Sequence, residues 1–135
     1  MINVIVGAKG TGKTKKIIEA ANKSLETSKG DSVFLTTTTR YRMEIKPAMK
    51  FIDMKEEGIV NKDMLVGFIK GMLAANYDIE NVFIDGVYKM MGTTIDSPET
   101  AELLLLLERY AGVNFTLTIS CDQDALPAFI AKYLK

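Results

Sequence analysis

Histidine is absent from the 135 residues, and cysteine occurs once, as Cys121. The first absence removes imidazole bases and histidine metal ligands. The second rules out an intrachain disulfide and leaves no cysteine cluster for zinc. Net charge is also missing, because 17 basic and 17 acidic residues cancel. No global field therefore draws in nucleic acid or an anionic membrane. The longest apolar run, Leu103 to Leu107, is far too short to span a bilayer. The N-terminus has no basic region followed by an apolar core, so no signal peptide is expected. A soluble, cytoplasmic protein without membrane contact is the expectation. A length of 135 residues with 47% hydrophobic content fits a single globular domain over 1–135.

What is present starts with Gly7-Ala8-Lys9-Gly10-Thr11-Gly12-Lys13-Thr14. The stretch fits G-x-x-x-x-G-K-[ST]. An apolar run containing Ile2, Val4, Ile5 and Val6 precedes it and reads as a buried strand. Lys13 to about Ser28 reads as a helix, ending near Gly30 as a C-terminal cap. Strand, glycine loop and helix together form a phosphate-binding context. Glycines allow a tight turn with backbone N–H groups aimed inward. Those groups and the positive end of the helix favour an anion.

Further along, Val33 to Leu35 reads as a strand extended by threonines 36 to 39, since threonine favours strands. A polar connection with Arg40, Arg42 and Lys46 follows, then a short strand at 49–53. A helix opens at Asn61 or Lys62, with Met64, Leu65, Phe68, Ile69, Met72 and Leu73 at helical spacing. Val82-Phe83-Ile84-Asp85 is an apolar strand ending in a carboxylate. Gly86 to Asp96 reads as a loop. Ser97-Pro98 starts a third helix that closes at Gly112. Its five consecutive leucines predict either deep burial or a partner. Val113 to Ser120 reads as the last strand, and Asp122 or Asp124 caps a terminal helix.

Alternating strands and helices imply a three-layer α/β sandwich with a mainly parallel sheet of about four or five strands. Ligands in such sheets bind past the carboxyl ends of the strands. Gly7, Arg40, Asp85 and Ser120 all fall there.

The chain resembles the P-loop NTPases. The Gly7–Thr14 stretch is similar to their Walker A loop and Val82–Asp85 to their Walker B strand. The resemblance implies that Gly7, Ala8, Lys9, Gly10, Thr11, Gly12, Lys13 and Thr14 bind the phosphates. Lys13 would reach the β- and γ-phosphates, and Thr14 with Asp85 would hold Mg²⁺. Asp53 competes with Asp85, from a weaker context. Two strands between the motifs look like the branch with an additional strand, which implies Ser120 as a polar sensor of the γ-phosphate. Lys9 sits one place later than the second lysine of partition-type ATPases. In that branch a further core strand would follow, and the sheet is expected to be truncated before it.

One departure bears on activity. Efficient ATPases of the family carry a glutamate directly after the Walker B aspartate, and here Gly86 stands there. Asn61-Lys62-Asp63 does not form the guanine-reading N-K-x-D pattern. The expectation is an ATP-binding protein with Mg²⁺, a slow or partner-activated ATPase with a protein partner or a homo-oligomeric state. Two alternatives remain open. A nucleotide or small-molecule kinase would use Arg40 or Arg42 on its acceptor, although residues 86–96 contain no arginine for a lid. A nucleotide-sensing module would bind without turnover.

Overall fold

The computed structural model describes residues 1–134. Within them, strands β1 (Ile2–Gly7), β2 (Asp31–Thr36), β3 (Lys50–Asp53), β4 (Ile79–Ile84) and β5 (Asn114–Ser120) form one sheet. Its order is β1-β5-β4-β2-β3, and every pairing is parallel. The helices are α1 (Lys13–Thr27), α2 (Lys62–Ala75), α3 (Val87–Met91), α4 (Pro98–Glu108) and α5 (Ala128–Ala131). The class is α/β, as the alternation of periods implies.

Strand parity sorts the core into two clusters. Val33, Leu35, Val82, Ile84, Phe115, Leu117 and Ile119 face the α2, α3 and α4 side. Phe34 and Phe83 point the other way and pack with Ile17, Ile18 and Ala21 of α1. The sheet is thus covered on both faces, the usual condition for parallel strands. Leu35, Ile84, Leu65, Ile69 and Ile17 are fully buried. Burial of each such side chain contributes about 1.5–3 kcal/mol.

The caps of α2 and α4 fall where expected. Asn61 Oδ1 accepts from Met64 N at 2.9 Å, and Ser97 Oγ accepts from Glu99 N at 3.2 Å. At the sheet edge, Val4 N donates to the Tyr133 carbonyl at 2.8 Å on the outer side of β1. Among the described residues no helix is long and apolar enough to cross a membrane.

Several boundaries depart from expectation. Strand β2 stops at Thr36, because the ladder to β3 ends at the Thr36–Asp53 pair. Thr38 then accepts from Arg40 N at 3.1 Å in a turn. Helix α1 ends at a Ser28 cap, and Gly30 has a different role. A Cβ there would lie 2.1 Å from the Asp78 carbonyl oxygen, where two backbones cross. Residues 86–96 are not all loop. Val87, Met90 and Met91 bury one side of α3 between Gly86 and Gly92, both at positive φ.

Helix α4 ends at Glu108 rather than Gly112. Its leucines are not uniformly buried: Leu103, Leu104 and Leu107 are inside, whereas Leu105 is 61% exposed. The expected terminal helix is split. Pro127 holds Leu126 extended, separating a 3₁₀ turn at Gln123–Ala125 from the four residues of α5. Neither Asp122 nor Asp124 caps a helix through its side chain.

Candidate functional site

A cavity of about 660 Å³ opens at the carboxyl ends of β1, β5, β4 and β2. Lys9, Gly10, Gly12, Lys13 and Thr14 line one wall, and Asp85, Gly86, Thr118 and Ser120 line the floor. Thr36, Thr37, Thr38, Arg40, Tyr41 and Glu44 form the opposite wall. A separate depression of about 420 Å³ lies beside β1, between Ile5, Ala20 and Leu134. It lacks the convergence of loop, carboxylate and hydroxyls found in the larger one.

The glycine loop folds on the Ala8 carbonyl. That oxygen accepts from Thr11 N at 3.2 Å, Thr11 Oγ1 at 2.6 Å and Lys13 Nζ at 3.2 Å. Gly10 and Gly12 both have φ of 86°, where a side chain is strained. Neither would meet an atom within 4 Å if it carried a Cβ, so the loop's outer side is open. Gly7 is closed in by Thr11, whose Oγ1 would be 2.4 Å from a Cβ. Gly7 itself pairs with Ser120 across β1 and β5.

Helix α1 begins at Gly12 with no side-chain cap and no acidic residue in its first turn. That turn reads Lys13-Thr14-Lys15-Lys16. Three lysines stand at the positive end of a helix dipole, which ordinarily favours carboxylates. The arrangement is electrostatically unfavourable for the helix by itself.

The charge around the cavity is uneven. Lys9, Lys13, Lys15, Arg40 and Lys89 line it against two carboxylates, Asp85 and Glu44. Asp85 Oδ2 accepts from the Thr14 hydroxyl at 3.2 Å, bringing together residues 71 apart in sequence. Asp85 Oδ1 accepts from the Thr118 hydroxyl at 2.7 Å. Asp85 N donates to the Leu35 carbonyl at 2.9 Å, fixing the carboxylate's root on β2.

Not every candidate joins this site. Asp53 is turned into its own loop, where Oδ1 accepts from Lys55 N at 3.0 Å and Glu56 N at 3.3 Å. Arg42 lies 5.3 Å over the Phe51 ring and borders another depression with Lys46. Arg40 alone of those three basic residues reaches the cavity. Thr118, Glu44, Lys15 and Lys89 were not singled out from sequence. Thr118 had a readable signal: Phe115, Leu117 and Ile119 alternate with Thr116, Thr118 and Ser120, so one face of β5 is hydroxylated. Lys89 had none, since its helix is five residues long.

Two groups behind the floor have shifted acidities. Burial pushes the Tyr88 phenol up to about 12. Burial, with help from Asp122, raises the Cys121 thiol. Among the described residues no three acidic or cysteine side chains converge on a metal site. A divalent ion held here would complete its shell with water and ligand oxygens, as Mg²⁺ ordinarily does. No family model matches this chain, and no curated protein matches its sequence.

Proposed function

We propose that the cavity binds Mg-ATP and that the protein is a P-loop ATPase that turns over slowly or on activation by a partner. The observation that carries this reading is the Thr14–Asp85 contact beside the uncapped, lysine-rich start of α1. The donor set fits the ligand. First-turn N–H groups and Lys13 suit phosphate oxygens, and a hydroxyl next to a carboxylate suits Mg²⁺ and its waters. Gly10 and Gly12 line the cavity with nothing within 4 Å of where a Cβ would stand, which leaves room for a phosphate chain near the backbone. Bound Mg²⁺ would neutralise charge on the phosphates during transfer.

Slow hydrolysis follows from Gly86. Its φ of 82° favours glycine, so a glutamate in that position would be strained as well as absent. Glu44 is the other carboxylate on the cavity wall, held on the 3₁₀ turn at Arg42–Glu44. Asn22 ties that turn to α1, donating to the Glu44 carbonyl at 2.8 Å and accepting from Lys46 N at 3.0 Å. A partner is the natural supplier of a water-activating group. The exposed Leu105, in a depression shared with Val66, Leu106 and Arg109, gives such a partner an apolar foothold. Arg40 in the cavity is the feature that keeps a kinase reading open.

The test is calorimetric titration of ATP, ADP and GTP with Mg²⁺ into wild type and Lys13→Ala, followed by phosphate release on the same samples. ATP should bind wild type, and Lys13→Ala should weaken it at least tenfold, about 1.4 kcal/mol. Release should be slow for the protein alone. Absence of ATP binding by wild type would overturn the reading. Transfer of phosphate to a nucleoside or monophosphate acceptor would replace the ATPase with a kinase.

A further inference from the structure

Thr118 occupies a central place beneath the cavity. It is 3% exposed and lies on the hydroxylated face of β5. Its Oγ1 accepts from Gly86 N at 2.9 Å and donates to Asp85 Oδ1 at 2.7 Å. A hydroxyl has one proton. The Gly86 N–H occupies a lone pair, and the proton is committed to Asp85. The placement follows from register: Phe83 pairs with Thr116 and Ile84 with Leu117, so Thr118 lies opposite the position of Asp85.

The two oxygens of Asp85 therefore differ. Oδ1 is held by a short bond to a buried hydroxyl on a central strand. Oδ2 is met by Thr14 over a longer 3.2 Å contact from the start of α1. Oδ2 is the oxygen that can exchange its partner. We propose that Thr118 is a positioning residue that fixes the Asp85 carboxylate through Oδ1 and so presents Oδ2 to the divalent cation of a bound nucleotide. This rests on the Mg-ATP reading above. Outer-shell partners of metal-binding carboxylates commonly change metal affinity by about 10–100-fold when removed.

A purely structural Thr118 would serve only to satisfy Gly86 N, and the two roles separate in metal dependence. The experiment measures ATP affinity with Mg²⁺ and with EDTA for wild type, Thr118→Val and Thr118→Ser, with Mn²⁺ binding to the nucleotide complex read by electron paramagnetic resonance. Thr118→Val should lower Mg-ATP and Mn²⁺ affinity about 10-fold or more while changing metal-free ATP binding less than about twofold. Thr118→Ser should return the metal dependence to within about threefold of wild type, because it keeps the hydroxyl. Asp85→Asn should lose the metal dependence with or without Thr118→Val. Should Thr118→Val not fold, Thr118→Cys gives the same comparison, with a thiol, a far weaker donor, in place of the hydroxyl. Retained metal dependence in the variant lacking the hydroxyl, or equal loss of binding with and without metal, overturns the proposal. Wild type that binds ATP without any metal dependence also overturns it, while leaving nucleotide binding itself intact. Wild type that binds no ATP in either buffer sinks both readings.

Discussion

Lys15→Glu should make the ligand-free protein more stable and the cavity worse at binding phosphate. Lys15 is exposed in the uncapped first turn of α1 and lines the cavity. The substitution removes a cation from the positive end of the helix and adds an anion. Each change contributes about 0.3–1 kcal/mol at low ionic strength, so the gain is roughly 1 kcal/mol. For a domain of this size that raises the melting midpoint by about 3–5 °C. Urea unfolding and calorimetry without nucleotide read it directly. The gain should shrink as salt shortens the screening length. With ATP present the sign reverses. Two units of charge have changed against a polyanion, and affinity should drop at least tenfold. A variant that is less stable without ligand, or that binds ATP as wild type does, refutes the reasoning. The lysines would then not be in conflict with the helix end.

Two further outcomes follow from geometry away from the glycine loop. Gly30→Ala should destabilise the fold by about 1–3 kcal/mol, seen as a lower urea midpoint, because the new methyl meets the Asp78 carbonyl oxygen that a Cβ would approach to 2.1 Å. An unchanged midpoint would mean that the two backbones separate freely. Cys121 should alkylate more slowly at pH 8 than an unperturbed thiol, since burial and Asp122 raise its pKa and leave less thiolate at that pH. Its rate should still be climbing with pH after that of a small free thiol, which titrates at about 8.5, has levelled off. A plateau reached no later than the free thiol's would contradict the shift.

The legible parts of this chain were those with local causes. The β1–loop–α1 unit is written within 27 residues, and its apolar periods and glycines leave little choice. Asn61 and Ser97 were recognisable as caps because capping needs only a short polar side chain before a helix. At the strand ends, Asp85 reaches Thr14 and Ser120 pairs with Gly7. What escaped notice depends on neighbours distant in sequence. Thr36 ends its strand because β3 ends, not because Thr37 disfavours extension. Gly30 is a glycine because of Asp78, a residue that no local pattern connects to it. Pro127 is the exception, a local signal that divides the expected terminal helix. Thr118 acquires its partner only when β5 inserts between β1 and β4.

The uneven charge of the cavity has a consequence for how fast a ligand arrives. The whole chain is formally neutral, and the cavity lining carries three more positive than negative side chains. The remainder of the molecule is therefore net acidic by the same three. A polyanion approaching from a random direction meets mild repulsion over most of the surface and attraction at one opening. Such a field raises productive encounters without adding any contact in the bound state. It also makes the association rate, more than the dissociation rate, the quantity that salt controls.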